Sequence, residues 1–245
     1  MTETATRGLT RRLIELGTVH ATVAAVEWAT PRMRRIVLRG PQLRVLRSEP
    51  GQHVRVHIDG SGGVPTRRTY SVWEHEGDRI ELLVLDHGDG PGSRWAREIE
   101  QDGDVVLSRP QGRFVLQPPA PAAPYCVFVG EETGAVALGA MLRALPESVP
   151  VHGVVETDEP DGRLPLPRAE ELTWVCRYGA PAAGSPLQVE ALRGLTLPDG
   201  PGVAYVAGEA KVCQAVRRHL IAERGWPRRA VVTKPFWTPG RTGMD

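Results

Sequence analysis

Two short stretches hold side chains whose types and spacing suit the binding of a phosphate beside a ring. In TRRTYSVW (66–73), guanidinium, phenol and hydroxyl follow one another on a segment that reads as a β-strand. Alternation along a strand sends Arg68 and Tyr70 to one face and Ser71 to the other. Arg68 offers a planar fork matched to two phosphate oxygens. Tyr70 can stack on a ring or hydrogen-bond a ligand hydroxyl, and Ser71 reaches a ring edge where the strand ends or bulges. The plainer alternative is an exposed arginine beside a half-buried tyrosine. In LDHGDGPGSRWA (85–96), a strand ends, small residues follow and a helix opens, with its start expected at Ser93. Gly90, Gly92 and Ser93 then surround a helix N-terminus, where unpaired N–H groups and the helix dipole favour an anion. Ser93 can cap that helix and donate to a phosphate. His87 can pair with the same anion or with the ring. The alternative makes Ser93 only a cap and His87 only a surface residue.

The second half offers further candidates. VGEETGAVALGAML (129–142) reads as strand, glycine-containing turn and helix, with Thr133 as a hydroxyl donor to a diphosphate. It lacks the G-x-G-x-x-G pattern, and Glu131 and Glu132 would repel a phosphate if they pointed inward. YVAGEAKVCQAVRRHL (205–220) repeats the design, with Gly208 and Glu209 in the turn at the carboxyl edge of a sheet. Arg177, closing TWVCR, stands where a ribose or its 2′-phosphate would lie; the alternative is an ordinary exposed arginine. Lys211 and Lys234 are the only lysines, and Lys234 precedes Phe236 and Trp237. It is a candidate for an anionic substrate, with an exposed strand-end lysine as the alternative.

Strands, turns and helices must position these groups. Thr18–Trp28, Arg32–Arg39, Gly51–Ile58, Arg67–Glu74, Arg79–Asp86 and Val105–Ser108 read as six strands, the fourth and fifth forming a hairpin. Within GQHVRVHI, Val54, Val56 and Ile58 alternate with His53, Arg55 and His57. The spacing predicts a small antiparallel barrel, with a short helix over Ser93–Glu100. QPPAPAAP (117–124) is a stiff connector, so the domains are expected at 1–117 and 124–245. Beyond it the period changes. Tyr125–Gly130 is a continuous apolar strand of the doubly buried kind, and a helix follows, stopped by Pro146. Val151–Glu156, Thr173–Arg177, Val203–Ala207 and Val231–Lys234 read as strands, and Ala210–Arg224 as a helix. Alternating strand and helix predict an open, mostly parallel α/β sheet. A barrel with a flat cofactor on its outer face, followed by such a sheet, suits hydride transfer between two ligands meeting in a cleft.

Composition narrows the classes. The chain has 245 residues, 41% apolar and 24% charged, with a net charge of +1, so no overall field favours nucleic acid. Cys126, Cys176 and Cys213 are widely spaced, without the clustering that zinc or iron–sulfur sites need; buried free thiols are expected. The first residues lack an apolar signal-peptide core, and no stretch of 18 apolar residues occurs. A cytoplasmic protein without a membrane partner is expected.

Taken together, RRTYSV, HGDGPGSRWA, VGEETGAVA, YVAGEA and KPFWTPG resemble the motifs of the siderophore-interacting protein family, within the ferredoxin-reductase-like flavoproteins. The resemblance runs from about His20 to Gly240. It departs at Glu131, Gly134, Ala137, Tyr205 and Phe236, all on the reductant side. It implies an FAD-binding barrel, a C-terminal NAD(P)H-type domain, and reduction of ferric siderophores in the cytoplasm. Arg68, Tyr70, Ser71, His87, Gly90, Pro91, Gly92, Ser93 and Trp237 would then serve FAD, with Phe236 nearby. Thr133, Gly208 and Glu209 would face NADH or NADPH, with Arg177 near the ribose. A ferredoxin is an alternative donor. Arg67, His53, His57 and Lys234 are available for the siderophore's charge. No side chain acts as a covalent catalyst in this scheme. A general NAD(P)H–flavin reductase for another acceptor and a non-catalytic siderophore-binding module are the alternatives.

Overall fold

The computed structural model describes residues 18–59, 65–117 and 124–241. Of the proline-rich connector, 118–123 lie outside the described residues. The chain divides into two compact units: the described parts of 18–27, 34–48 and 52–111 form one, and those of 28–33, 49–51 and 112–241 the other.

The first unit is built on a closed six-stranded barrel. Its strands are β1 (Thr18–Thr30), β2 (Met33–Arg39), β3 (His53–Asp59), β4 (Pro65–Glu76), β5 (Arg79–Leu85) and β6 (Asp104–Ser108), in the order β1-β2-β5-β4-β3-β6. Closure leaves no unpaired edge. Alternation holds as the sequence predicts: Val54, Val56 and Ile58 enter a core shared with Val72, Leu82 and Leu107, while His53, Arg55 and His57 take the other face. Helix α1 (Pro91–Glu98) lies between β5 and β6 in sequence and sends Ala96 into that core. It begins two residues before the expected Ser93. Proline fits the first helical position because its missing N–H would be unpaired there in any case.

The second unit has a parallel sheet, ordered β11-β10-β7-β8-β9: β7 (Cys126–Glu131), β8 (Val151–Thr157), β9 (Thr173–Cys176), β10 (Val203–Glu209) and β11 (Val231–Trp237). Central β7 is buried along its whole length. Helices α3 (Leu187–Gly194) and α4 (Ala210–Arg218) cover the face to which Val127, Val129 and Val206 point. Helix α2 (Glu132–Ala144) packs on the other face. A Cβ on its Gly134 would sit 2.2 Å from the Ala207 carbonyl oxygen, so only glycine permits this approach.

Several expected boundaries shift for local reasons. Strand β11 runs through Pro235 to Trp237; as an edge strand it loses no ladder bond on its outer side. The last α-helix ends at Arg218 and gives way to a π-helical turn over His219–Glu223. Helix α3 is absent from the sequence prediction because its eight residues lie between proline- and glycine-rich segments. Cys126 and Cys213 are buried thiols, whereas Cys176 is half-exposed. No helix among the described residues is long and apolar enough to cross a membrane.

Candidate cofactor site and the sheet edge

Strand register decides where the first motif points. Tyr70 pairs with Val54 and Arg68 with Val56, and directly paired residues share a face. Arg68 and Tyr70 therefore lie on the core-facing side of β4, toward α1. Arg67, Thr69 and Ser71 lie opposite His57, Arg55 and His53 on the other side. There burial, then the Arg67 charge, lowers the pKa of His57. Ser71 is buried, apart from Arg68 and Tyr70.

The Tyr70 ring stacks on Trp95 of α1, with centroids 5.5 Å apart and planes at 19°. Its hydroxyl is buried and has no hydrogen-bond partner among the described residues. Burial raises its pKa well above the usual phenol value, against the pull of Arg68. A Cβ on Gly92 would lie 2.7 Å from this hydroxyl and 3.5 Å from Arg68 Cγ, so the glycine keeps a cradle open. Arg68 Nη1 donates to Thr66 Oγ1 at 2.9 Å and to the Arg67 carbonyl at 2.8 Å.

The start of α1 borders the same cradle. Its N-cap is Gly90, with no side-chain capping bond and open space where a side chain would project. Ser93 is thus not the cap. It sits one turn inside, 1% exposed, and its Oγ accepts from the His87 N–H at 3.2 Å. Burial raises the Asp86 carboxyl, yet hydrogen bonds from Arg97, Gly88 and Ser93 bring it below its ordinary range. Ser93 therefore braces the loop before α1, while the His87 side chain stays exposed. The structure brings Arg68, Tyr70 and Gly92 together and adds Trp95, which the sequence reading missed. An indole four residues after Pro91, on a helix face that must meet the barrel, was the available signal. A fork cation, an uncapped helix start and an unpartnered phenol can receive an anion with a hydroxylated chain attached.

The carboxyl edge of the parallel sheet is built differently. Glu131 caps α2: Oε2 accepts from the Thr133 N–H at 2.7 Å, and Oε1 from Thr133 Oγ1 at 2.5 Å and Trp237 Nε1 at 3.0 Å. Burial, then the charge of Glu132, pushes the Glu131 pKa to about 7, against the hydrogen bonds from Thr133 and Trp237. Gly208, at φ +136°, closes over it; a Cβ there would lie 2.7 Å from Glu131 Oε1. Glu209 caps α4, accepting from the Val212 N–H at 3.0 Å and the Gly184 N–H at 3.2 Å. Arg177 is not exposed. It is 8% accessible and bonds Glu132 at 2.7 and 3.0 Å and Glu156 at 3.2 Å. Phe236 meets Phe114 edge-on at 6.2 Å, and Lys234 is half-buried opposite Ala207.

An antiparallel barrel with a capping helix, followed by a parallel sheet covered on both faces, defines a ferredoxin-reductase-like fold. The same fold occurs in a ferredoxin NADP+ reductase from Neisseria gonorrhoeae, solved with bound FAD and NADP, at 16% identity, a TM-score of 0.69, and coverage of 89% of this chain and 98% of that one. Within this class the chain belongs to the siderophore-interacting protein family, whose profile matches residues 123–240. A siderophore utilization protein from T. fusca shares 25% identity and a TM-score of 0.80, over 93% of this chain and 95% of that one. The ferric vibriobactin reductase ViuB of Vibrio cholerae is 26% identical over 72% of this chain and 66% of its own. The uncharacterized protein Rv2895c of Mycobacterium tuberculosis is 30% identical over 73% of this chain and 67% of its own. The chain spans about a quarter of another relative, the mycobactin import ATP-binding/permease protein IrtA of Mycolicibacterium smegmatis: 26% identity over 91% of this chain and 26% of that protein.

Proposed function

We propose that this protein reduces ferric siderophores, Fe(III) to Fe(II), releasing iron in the cytoplasm, with FAD held by the barrel and electrons drawn from NADH, NADPH or a ferredoxin. The observation that carries this reading is the buried, unpartnered Tyr70 hydroxyl beside Arg68 and the open Gly92 cradle. A buried polar group without a partner costs stability, and a ligand that supplies the partner recovers it. The residues fit FAD. Arg68 pairs with its diphosphate, the first N–H groups of α1 donate to the same anion, and the Tyr70 hydroxyl bonds the ribityl chain. Trp95 holds the Tyr70 ring in place, and Ser93 and Asp86 fix the turn that presents Gly90 and Gly92. Ser71 completes the barrel's flavin set.

FAD, when bound, supplies the conversion of a two-electron hydride into single electrons. Iron is the substrate. The ferric ion holds hard oxygen donors tightly, and the less charged ferrous ion leaves them more readily. Arg67 supplies positive charge for an anionic chelate. The family membership and the likeness to ViuB support the acceptor class. Anaerobic titration of the flavin-loaded protein with NADH, NADPH or reduced ferredoxin, then with ferric hydroxamate or catecholate, tests the reading. Flavin bands that bleach with a donor and recover with chelated iron are expected. Equal recovery with quinones or simple ferric salts would favour a general reductase, and a protein that binds chelated iron without flavin would be a binding module.

A further inference from the structure

We infer that Glu131 is a built-in hydrogen-bond acceptor that occupies the seat at the start of α2 and keeps the diphosphate of a dinucleotide off it. The inference rests on the reading of the α/β unit as the donor side, and it narrows which donors that side accepts. In a parallel sheet, ligands gather at the carboxyl ends of the strands, and a diphosphate takes the N–H groups at a helix start. Here one of those donors, the Thr133 N–H, is taken. The Thr133 N–H and hydroxyl both bond Glu131, at 2.7 and 2.5 Å. The Trp237 indole N–H adds a third bond at 3.0 Å. The carboxylate is enclosed: Glu131 is 1% exposed, and the backbone of Gly208 comes so near that a Cβ would lie 2.7 Å from Oε1.

The neighbouring helix repeats the device. Glu209, fully buried, caps α4 through the Val212 N–H and also takes the Gly184 N–H. The nearby cation that could attract a phosphate is committed as well, because Arg177 is held between Glu132 and Glu156. An incoming phosphate would have to displace a hydrogen-bonded carboxylate and then stand beside others of like charge. Nicotinamide dinucleotides are therefore weakly held by this unit, and Glu131 sets that selectivity.

The test is calorimetry with ADP as probe, on the full chain saturated with FAD so that the barrel cannot take the probe. Flavin loading is read from the visible spectrum beforehand. Failure to load counts against the proposed function alone, and the comparison of variants still reads the seat at α2. The unaltered protein should bind ADP with a Kd of about 1 mM or weaker. Glu131→Ala and Glu131→Gly, the latter keeping a residue tolerated at an N-cap, should bind at least about tenfold tighter. Glu131→Gln keeps an acceptor of the same size over Thr133 and should stay within about threefold of the unaltered protein. Low-micromolar binding by the unaltered protein would overturn the inference without any variant. So would Ala and Gly variants that melt cooperatively yet bind no tighter, or a Gln variant that gains as much as they do.

Discussion

Helix α1 of the barrel and helix α2 of the α/β unit both follow a strand, and they treat their first N–H groups in opposite ways. At α1 the cap is Gly90, no side chain reaches back, and Arg68 lies beside the second residue, Gly92. At α2 the protein supplies its own acceptor, Glu131, in a buried cap tied to Thr133 and Trp237. The same electrostatic feature is thus left open for a ligand in one unit and closed in the other. A strand–turn–helix pattern does not by itself mark a phosphate site. The side chain at the cap position decides.

Four substitutions break or sharpen this contrast. The largest effect is expected from Arg177→Met, which leaves Glu132 and Glu156 buried without their cation. Losing one partner of a buried ion pair typically costs about 3–5 kcal/mol. Urea unfolding should show that loss, while FAD affinity stays unchanged. A variant that is as stable as the parent but loses discrimination between NADPH and NADH would return Arg177 to the ligand.

Next comes the pH dependence carried by Glu131. Its pKa in the fold is raised from 4.5 to about 7. The folded chain therefore keeps a proton that the unfolded chain has already released, and stability falls as pH rises between those values. The loss across the window is about 3 kcal/mol. Unfolding curves from pH 5 to pH 8 should show this decline in the parent and a flatter profile in Glu131→Gln.

Gly92→Ala should weaken FAD about tenfold, because the added Cβ collides with the Tyr70 hydroxyl. Fluorescence titration reads it. The smallest effect belongs to Tyr70→Phe. It removes a buried hydroxyl that has no partner among the described residues, so the flavin-free protein should be unchanged or more stable by about 1 kcal/mol. FAD binding should weaken several-fold at the same time. Lost stability in the flavin-free protein would mean the hydroxyl already serves the fold.

Much of this architecture is legible in the chain, because alternation and composition report burial directly. Val54, Val56 and Ile58 declare the inner face of β3, and Tyr125–Gly130 declares a strand buried on both sides. Pro235 hid the end of β11, since proline forbids a central strand but not an edge. The face of Arg68 was harder. Alternation pairs it with Tyr70, yet only the register with β3 shows that both turn inward. In the sequence Glu131 reads as a source of repulsion and not as a cap, because Ser, Thr, Asp and Asn are the usual capping residues. The Tyr70–Trp95 stack is a tertiary contact across two elements, and no local pattern announces it.

The central claim is that the cradle formed by Arg68, Tyr70 and the start of α1 holds a flavin dinucleotide by its diphosphate. Fluorescence-quenching titration with FAD and with riboflavin, on the parent and on Arg68→Ala, tests it most directly. FAD should bind the parent at least about a hundredfold tighter than riboflavin, and Arg68→Ala should remove most of that advantage. Equal affinity for the two flavins in the parent, or an undiminished preference for FAD after loss of Arg68, would contradict the account.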